Sequence, residues 1–294
     1  MEVCLENFTA ADFQPPIEGR HFIQDCWNAL LDSIGDDPEF LYVWALPLWT
    51  NAFYWMFGSL FLIVDLTGKP NFLRKYKTQP GKNEPLDKAE MVRVFLWILF
   101  NQFVVQLPIA YIGYQLADKT NAPNMRILPS GWVVLRDICI GTFFVEVGVY
   151  YVHRCMHKKP FYRLFHRMHH EETAPYALYS LYCHPLEHLL NNIIPSSLGI
   201  ILMKSHPATA AIHYPLMLIE TMRDHCGYHL PFFFSPERHD YHHAKYTDCY
   251  GPFGIMDWLH GTEGSFRKTK QFQRDRILLT TRSAREIFPD HKNQ

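Results

Sequence analysis

The sequence predicts an all-α, polytopic integral membrane protein with a cytosolic, histidine-rich helical cap that holds a dinuclear metal centre. Three observations lead there. Two long runs, Phe40–Val64 and Val94–Ala117, carry no charged residue. Of the 17 histidines, 14 fall between His153 and His243. Ten of those form four clusters, His153-Arg-Cys-Met-His157, His166-Arg-Met-His169-His170, His225-Cys-Gly-Tyr-His229 and His239-Asp-Tyr-His242-His243, which read HxxxH, HxxHH, HxxxH, HxxHH. Spacings of three and four place side chains on one face of a helix.

The first 39 residues are polar and net acidic, a tail expected to become helical near Phe22 to Leu31. Its opening residues lack a basic region followed by a short apolar run, so no cleaved signal peptide is predicted. Phe40–Val64 then supplies 25 uncharged residues, with Trp44, Trp49 and Trp55 among them. That length crosses a hydrocarbon core of ~30 Å with some tilt. A charged connection, 65–93, leads to Val94–Ala117, where Asn101, Gln102 and Gln106 are expected to hydrogen-bond to neighbouring helices.

After a turn region at 118–130, Gly131–Val152 forms the third predicted membrane helix, interrupted by Arg136, Asp137 and Glu146. It delivers His153 and His157 at its far end. Leu189–Met203 and Pro207–Ile219 are shorter apolar runs, read as a membrane hairpin over about 189–219 inside a catalytic region spanning 153–294.

Basic residues orient this arrangement. Seven lie in the 65–93 connection and five in 153–170, whereas the initial tail has one Arg and the 118–130 turn one Lys and one Arg. Three spans and a hairpin therefore put both basic segments and the histidines in the cytosol. The N-terminal tail, with the sequon Asn7-Phe-Thr9, faces the lumen.

Composition narrows the partners. A net charge of −1 gives no reason to expect nucleic acid. The mean hydropathy of −0.14 averages polar and nearly charge-free segments. Seven dispersed cysteines without a CxxC pair argue against a disulfide framework and against a cysteine zinc site.

Imidazole is the commonest metal ligand, and two HxxHH clusters, each following HxxxH, exceed chance, which gives ~0.06 such clusters. Ten ligands are too many for one structural zinc and suit two ions with open positions. Neither HxxxH has the Glu of a zinc-protease HExxH. Two irons fit best; spacing alone leaves zinc and copper open. The expected ligands are His153, His157, His166, His169, His170, His225, His229, His239, His242 and His243, with His184 and His188 as further candidates. Glu146, an acid inside a membrane helix, and Glu220 are the acids expected to serve the site, Glu220 by orienting a ligand. His260 is expected to be structural, and Phe232–Phe234 to anchor at the interface or line an apolar entrance.

These clusters, together with His184-Pro-Leu-Glu187 and Leu259-His-Gly-Thr262, resemble the membrane-bound fatty acid hydroxylase and sterol desaturase superfamily, and within it the C-4 methylsterol oxidases. The resemblance runs from about Trp97 to the C-terminus. It implies a di-iron centre at the cytosolic face of the endoplasmic reticulum that uses O2 to oxidise a membrane lipid or sterol. Electrons would come from NAD(P)H through cytochrome b5 and its reductase as separate proteins, since no His-Pro-Gly-Gly haem motif occurs. Methylsterol oxidases carry an acid where this chain has His229. Alternatives are a fatty-acid or sphingolipid hydroxylase, or a catalytically silent lipid-binding regulator that keeps a structural metal.

Overall fold

Helix follows helix through the described residues, 17–84 and 86–290 of a computed structural model, and these contain no β-strand. One isolated antiparallel bridge joins Lys77 to Tyr228. Residues 1–16 of the predicted tail, including the sequon, lie outside the described residues; its helical portion is α1, Ile17–Ile34.

Helices α2, Phe40–Thr67, and α3, Lys88–Leu116, are long and apolar enough to cross a membrane by length and composition. Both outrun the charge-free segments because caps, not charge, set their ends. Gly68, at φ 64°, donates its N–H to Val64 O at 2.8 Å and stops α2. Asp87 accepts from the N–H groups of Ala89 and Glu90 and starts α3 six residues before the apolar run. Only 28% and 17% of their most apolar stretches are buried. Leu48, Met56, Leu60, Leu96, Phe103 and Ile112 point outward, the reverse of a soluble core helix.

Three helices contain a wider, π-helical stretch just before a proline: Phe40–Ala45 before Pro47, Asn101–Gln106 before Pro108, and His188–Ile193 before Pro195. Proline cannot donate to the carbonyl four residues back and its ring crowds it. The widened turn shifts the ladder, so each helix continues past its proline. Of the expected amide bonds, Gln102 Oε1 accepts from Trp55 Nε1 on the neighbouring helix at 2.8 Å, while Asn101 Nδ2 donates to Cys183 O, between helices, at 2.9 Å.

Helix α4, Gly131–Met156, begins at Ser130, whose Oγ accepts from Val133 N–H. It packs against α5 (185–202), followed by α6, Pro207–His225, so both arms of the predicted hairpin are longer than their apolar runs. Gly141 and Gly199 permit this packing. A Cβ on Gly199 would lie 2.7 Å from Gly141 Cα, so only glycine allows the two backbones to approach this closely.

The connections gather at two opposite ends. At one end Thr78 Oγ1 donates to Asp240 Oδ1 at 2.8 Å, and Gln79 Nε2 donates to Thr173 O at 2.8 Å. At the other, Trp27 Nε1 donates to Met125 O at 2.8 Å and Lys204 pairs with Asp118 at 2.7 Å. The histidines sit at the first end, where His169 lies against Tyr179 of a buried cluster that also includes Tyr54, Tyr76, Tyr176, Tyr182 and Tyr228. The cap is completed by α7, Glu237–Lys245, and α8, Ile255–His260.

Candidate metal centre

Nine of the ten nominated histidines converge in two groups. His153, His157, His166, His170 and His242 form one; His169, His225, His239 and His243 form the other. Within each group the candidate ligand atoms all lie within 4.8 Å of one another. His153 occupies the last turn of α4, and His157 follows it at the helix end. His166 closes a π-helical turn, Tyr162–His166, and His169 and His170 follow in irregular turns. His225 ends α6, and the last three lie on α7. The paired histidines of each HxxHH point to different groups: His170 and His242 to the first, His169 and His243 to the second. Adjacent residues diverge in direction, so one HH pair reaches both sites.

Hydrogen bonds settle which ring nitrogen faces inward. The Nδ1 atoms of His153, His169, His225, His242 and His243 meet the backbone carbonyls of Tyr250, Tyr182, Thr221, Asp248 and Glu172 at 2.7–3.2 Å. His166 Nδ1 meets Glu187 Oε1 at 2.7 Å. A carbonyl only accepts, so the proton sits on Nδ1 and the Nε2 lone pair points at the cluster centre.

Those lone pairs crowd one another. His166 Nε2 lies 2.9 Å from both His157 Nε2 and His170 Nε2, and His242 Nε2 lies 3.2 Å from His170 Nε2. In the second group His225 Nε2 is 3.0 Å from His239 Nε2 and 3.2 Å from His169 Nε2. Facing lone pairs repel, and a cation between them removes the repulsion. Metal–nitrogen bonds of about 2.0–2.1 Å put neighbouring donors about 2.9 Å apart at right angles and about 3.3 Å apart in a tetrahedron. The observed separations fall in that range, so the donor sets fit two metal ions.

Burial keeps these imidazoles neutral, the form that can bind metal. Desolvation lowers His166 to about 3 and His169 to about 4. His157, His239, His242 and His243 are lowered further by burial combined with neighbouring histidines.

His229 stands apart from both groups. Gly227, at φ 72°, turns the chain after Cys226, so the helical spacing from His225 is broken. His229 Nε2 lies 3.0 Å from Arg276 O, and Nδ1 lies 3.5 Å from Glu237 Oε1. His184 Nδ1 accepts from Leu186 N–H and caps the start of α5. His188 is buried on the wall of a cavity. His260 contacts Tyr151 OH at 3.0 Å and stacks on Tyr150, a packing position.

Neither nominated acid touches a histidine. Glu146 accepts from the N–H groups of Phe253 and Met256 at 2.9 and 2.7 Å. It thereby holds the segment following Tyr250, whose carbonyl fixes His153. Glu220 pairs with Arg223. The acid in contact with a ligand is Glu187, and Asp257 joins Glu146 by accepting from Tyr250 and Gly251 N–H groups at 2.9 and 2.7 Å. The signal for Glu187 was its place three residues after His184, in the first turn of a proline-started helix.

A cavity of about 630 Å³ extends from His153, His169, His225 and His239 to Lys119 and Lys204 near the opposite end. Its size falls within the roughly 300–1,000 Å³ of small-molecule sites. Between these ends, Ile109, Val145, Val149, Ile200 and Leu218 contribute apolar wall.

The fatty acid hydroxylase family model matches residues 138–262, the stretch that contains every histidine of both groups. The chain is 40% identical over 271 residues to human fatty acid hydroxylase domain-containing protein 2, covering 92% of this chain and 81% of the relative. It is 33% identical over 210 residues to a fatty acid hydroxylase of Mycosarcoma maydis, covering 71% and 54%. Methylsterol monooxygenase 1 of Gallus gallus is 28% identical over 268 residues, 87% of each chain. No solved structure matches. Two histidine groups that can each hold a metal ion, two apolar helices consistent with membrane association, and these similarities identify the chain as a member of the fatty acid hydroxylase family.

Proposed function

We propose that the chain is a membrane-bound monooxygenase that uses two iron ions and O2 to oxidise a C–H bond of a lipid, in the manner of the C-4 methylsterol oxidases. The observation that carries this reading is the meeting of both histidine groups at one end of a largely apolar cavity. Such a cavity suits a substrate drawn from the bilayer, and its enclosure limits water near the reacting atoms. The similarity to methylsterol monooxygenase over 87% of each chain supports the sterol reading.

The nine clustered imidazoles would hold the metal, His153, His157, His166, His170 and His242 at one site and His169, His225, His239 and His243 at the other. When bound, the metal pair supplies activation of O2. The protein's part is orientation. Five backbone carbonyls and Glu187 fix six rings with their Nε2 atoms inward. Glu146 and Asp257 hold the Tyr250 segment, and apolar walls direct the lipid toward the histidines. Electrons would be delivered from NAD(P)H by a separate cytochrome b5 and its reductase.

The same reading puts α2, α3, α4 and the α5–α6 hairpin in the endoplasmic reticulum membrane, with the histidine end cytosolic and the 1–39 tail lumenal. The gathering of the connections at two ends supports it.

Purified protein should contain metal and convert 4-methylsterols in the presence of NADPH, O2 and redox partner. His169→Ala should lose the metal of its own group, His242→Ala that of the other, and each should lose turnover. Similarity to a fungal fatty acid hydroxylase favours, as a second reading, oxidation of an acyl chain or sphingolipid. Comparing sterols and sphingolipids with and without the gene separates the two readings. Tightly held zinc without lipid oxidation would instead indicate a silent regulator.

A further inference from the structure

Two apolar patches stand exposed on the cap, outside the cavity and the histidine groups. The first is the loop between His229 and α7, where Phe232, Phe233 and Phe234 are 61%, 55% and 65% exposed. Phe232 N–H donates to Leu278 O at 2.9 Å, which brings the exposed Ile277 and Leu279 beside the loop. The second is α8, whose Ile255, Trp258 and Leu259 are 61%, 67% and 63% exposed. Clustered apolar exposure of this kind marks a surface that something covers.

Neither patch is loose. Arg223 Nη1 donates to Ser235 O at 2.6 Å, and its guanidinium lies 5.8 Å from the centre of the Phe234 ring, which ties the loop to the end of α6. Leu230, where the loop begins, packs against the same buried cluster as Phe61 and Leu62 of α2. Helix α8 is fastened to α4 at both ends: Met256 N–H donates to Glu146 Oε1 at 2.7 Å, and His260 Nε2 meets Tyr151 OH at 3.0 Å.

These fastenings set the depth of each patch. Glu146 precedes His153 on α4 by about two turns, roughly 10 Å further from the histidine end. Helix α8 therefore lies alongside the apolar part of α4, where Phe143 also faces outward. The ring of Tyr228, just before the loop, stands 6.3 Å from that of Phe61, which lies roughly 9 Å short of the α2 end at Thr67. Leu60 and Ile63 on the same turns of α2 face outward. Both patches thus join the chain level with outward-facing apolar helix residues.

Depth and charge name the occupant. The patches hang on different helices, so one protein partner seated on one face does not cover both, whereas lipid around the helix ends does. Aromatic side chains favour the boundary between headgroups and acyl chains. Exposed cations stand where phosphates would lie: Arg276 and Arg282 flank Ile277 and Leu279, and Arg154 follows Tyr151.

We infer that the Phe232–Phe234 loop with Ile277 and Leu279, and the outer face of α8, are two membrane contacts that insert into the lipid leaflet at the histidine end. This rests on the membrane reading of α2 to α6 above and adds contacts that no spanning helix supplies. They seat the cap on the bilayer from two sides.

The test uses the unmodified, full-length protein in nanodiscs of phosphatidylcholine and phosphatidylserine that carry a phospholipid with a diazirine in its acyl chain. After irradiation, peptide mass spectrometry should find lipid adducts on 231–236, on 277–279 and on 255–260. The outward face of α2 around Leu60 should be labelled too, and the charged connection around Lys82 should not. Replacing Phe232, Phe233 and Phe234 together by Ser should abolish the adducts on that loop and leave those on α8. Absence of adducts from either contact in the unmodified protein would overturn the proposal, whether water or a second copy of the chain covers it. The unmodified protein decides the matter if the variant fails to fold. Label on α2 but on neither contact would remove the contacts and leave the membrane reading standing; label on both contacts but not on α2 would do the reverse.

Discussion

His166 Nδ1 and Glu187 Oε1 meet at 2.7 Å with both side chains buried, although 21 residues separate them in the chain. This contact joins the first histidine group to the start of α5. It also aims His166 Nε2 at His157 and His170. Glu187→Ala should lower metal affinity at that group 10- to 100-fold. Glu187→Gln, which can still accept through Oε1, should lose less. Chelator competition at neutral pH measures both.

The two groups should empty separately. If each holds one ion, His157→Ala should weaken or remove metal at the first group, and His239→Ala should do so at the second. Elemental analysis then reads about one ion per chain in each variant where the parent holds two. Loss of both ions from either single variant would show that the groups are one site.

His229→Ala is expected to keep its metal. Its ring nitrogens face Arg276 O and Glu237, so its removal should cost stability, about 1–3 kcal/mol from buried groups left unpaired. Metal content and thermal unfolding of the same preparation separate this outcome from ligation.

Gly199→Ala should destabilise the α4–α5 pair by about 1–3 kcal/mol, because the new methyl group would meet the Gly141 backbone at 2.7 Å. The effect should appear in the melting temperature in detergent, with metal binding reduced only as the fold is lost.

The metal-free protein should weaken in acid. His166 and His169 titrate at about 3 and 4 in the fold, against an ordinary value of 6.5. Between these values the unfolded chain binds the extra protons. Their stability contribution is therefore complete above pH 6.5 and is lost as pH falls through 6.5 toward 3. His157, His239, His242 and His243 act in the same sense. Buried acids act oppositely by favouring the fold at low pH, with Asp240 raised by desolvation to about 6 and Asp275 also raised, but the lowered histidines outnumber them. Melting temperatures should fall between pH 7 and 4.5, and a flat profile would contradict the assignment of buried neutral imidazoles.

Much of the architecture was legible before folding. Long charge-free runs need no tertiary context to mark apolar helices, because length and composition are local properties. Helix ends were less legible, since Asp87 sets one through its side-chain carboxylate and Gly68 another through its backbone N–H, neither of which charge-free runs encode. His184, a further metal candidate from its spacing to His188, instead caps a helix by accepting from Leu186 N–H.

The acids were harder to read. Glu220 stands near His225 in sequence and was favoured for that reason, yet it turns to Arg223. Glu187 reaches His166 because the chain folds back through 167–186. Proximity along the chain was the wrong measure for an orienting contact.

By itself, then, the sequence determined that this is a helical chain with two apolar helices and a dense set of imidazoles at helical spacing. Those follow from side-chain chemistry and the period of the helix. Tertiary structure alone decided that nine histidines divide five and four, that Gly227 turns His229 away, and that Glu187 supports His166. Spacing encodes a shared face only while the helix continues; where it ends, and what a distant segment then brings against it, is decided by packing and long-range hydrogen bonds.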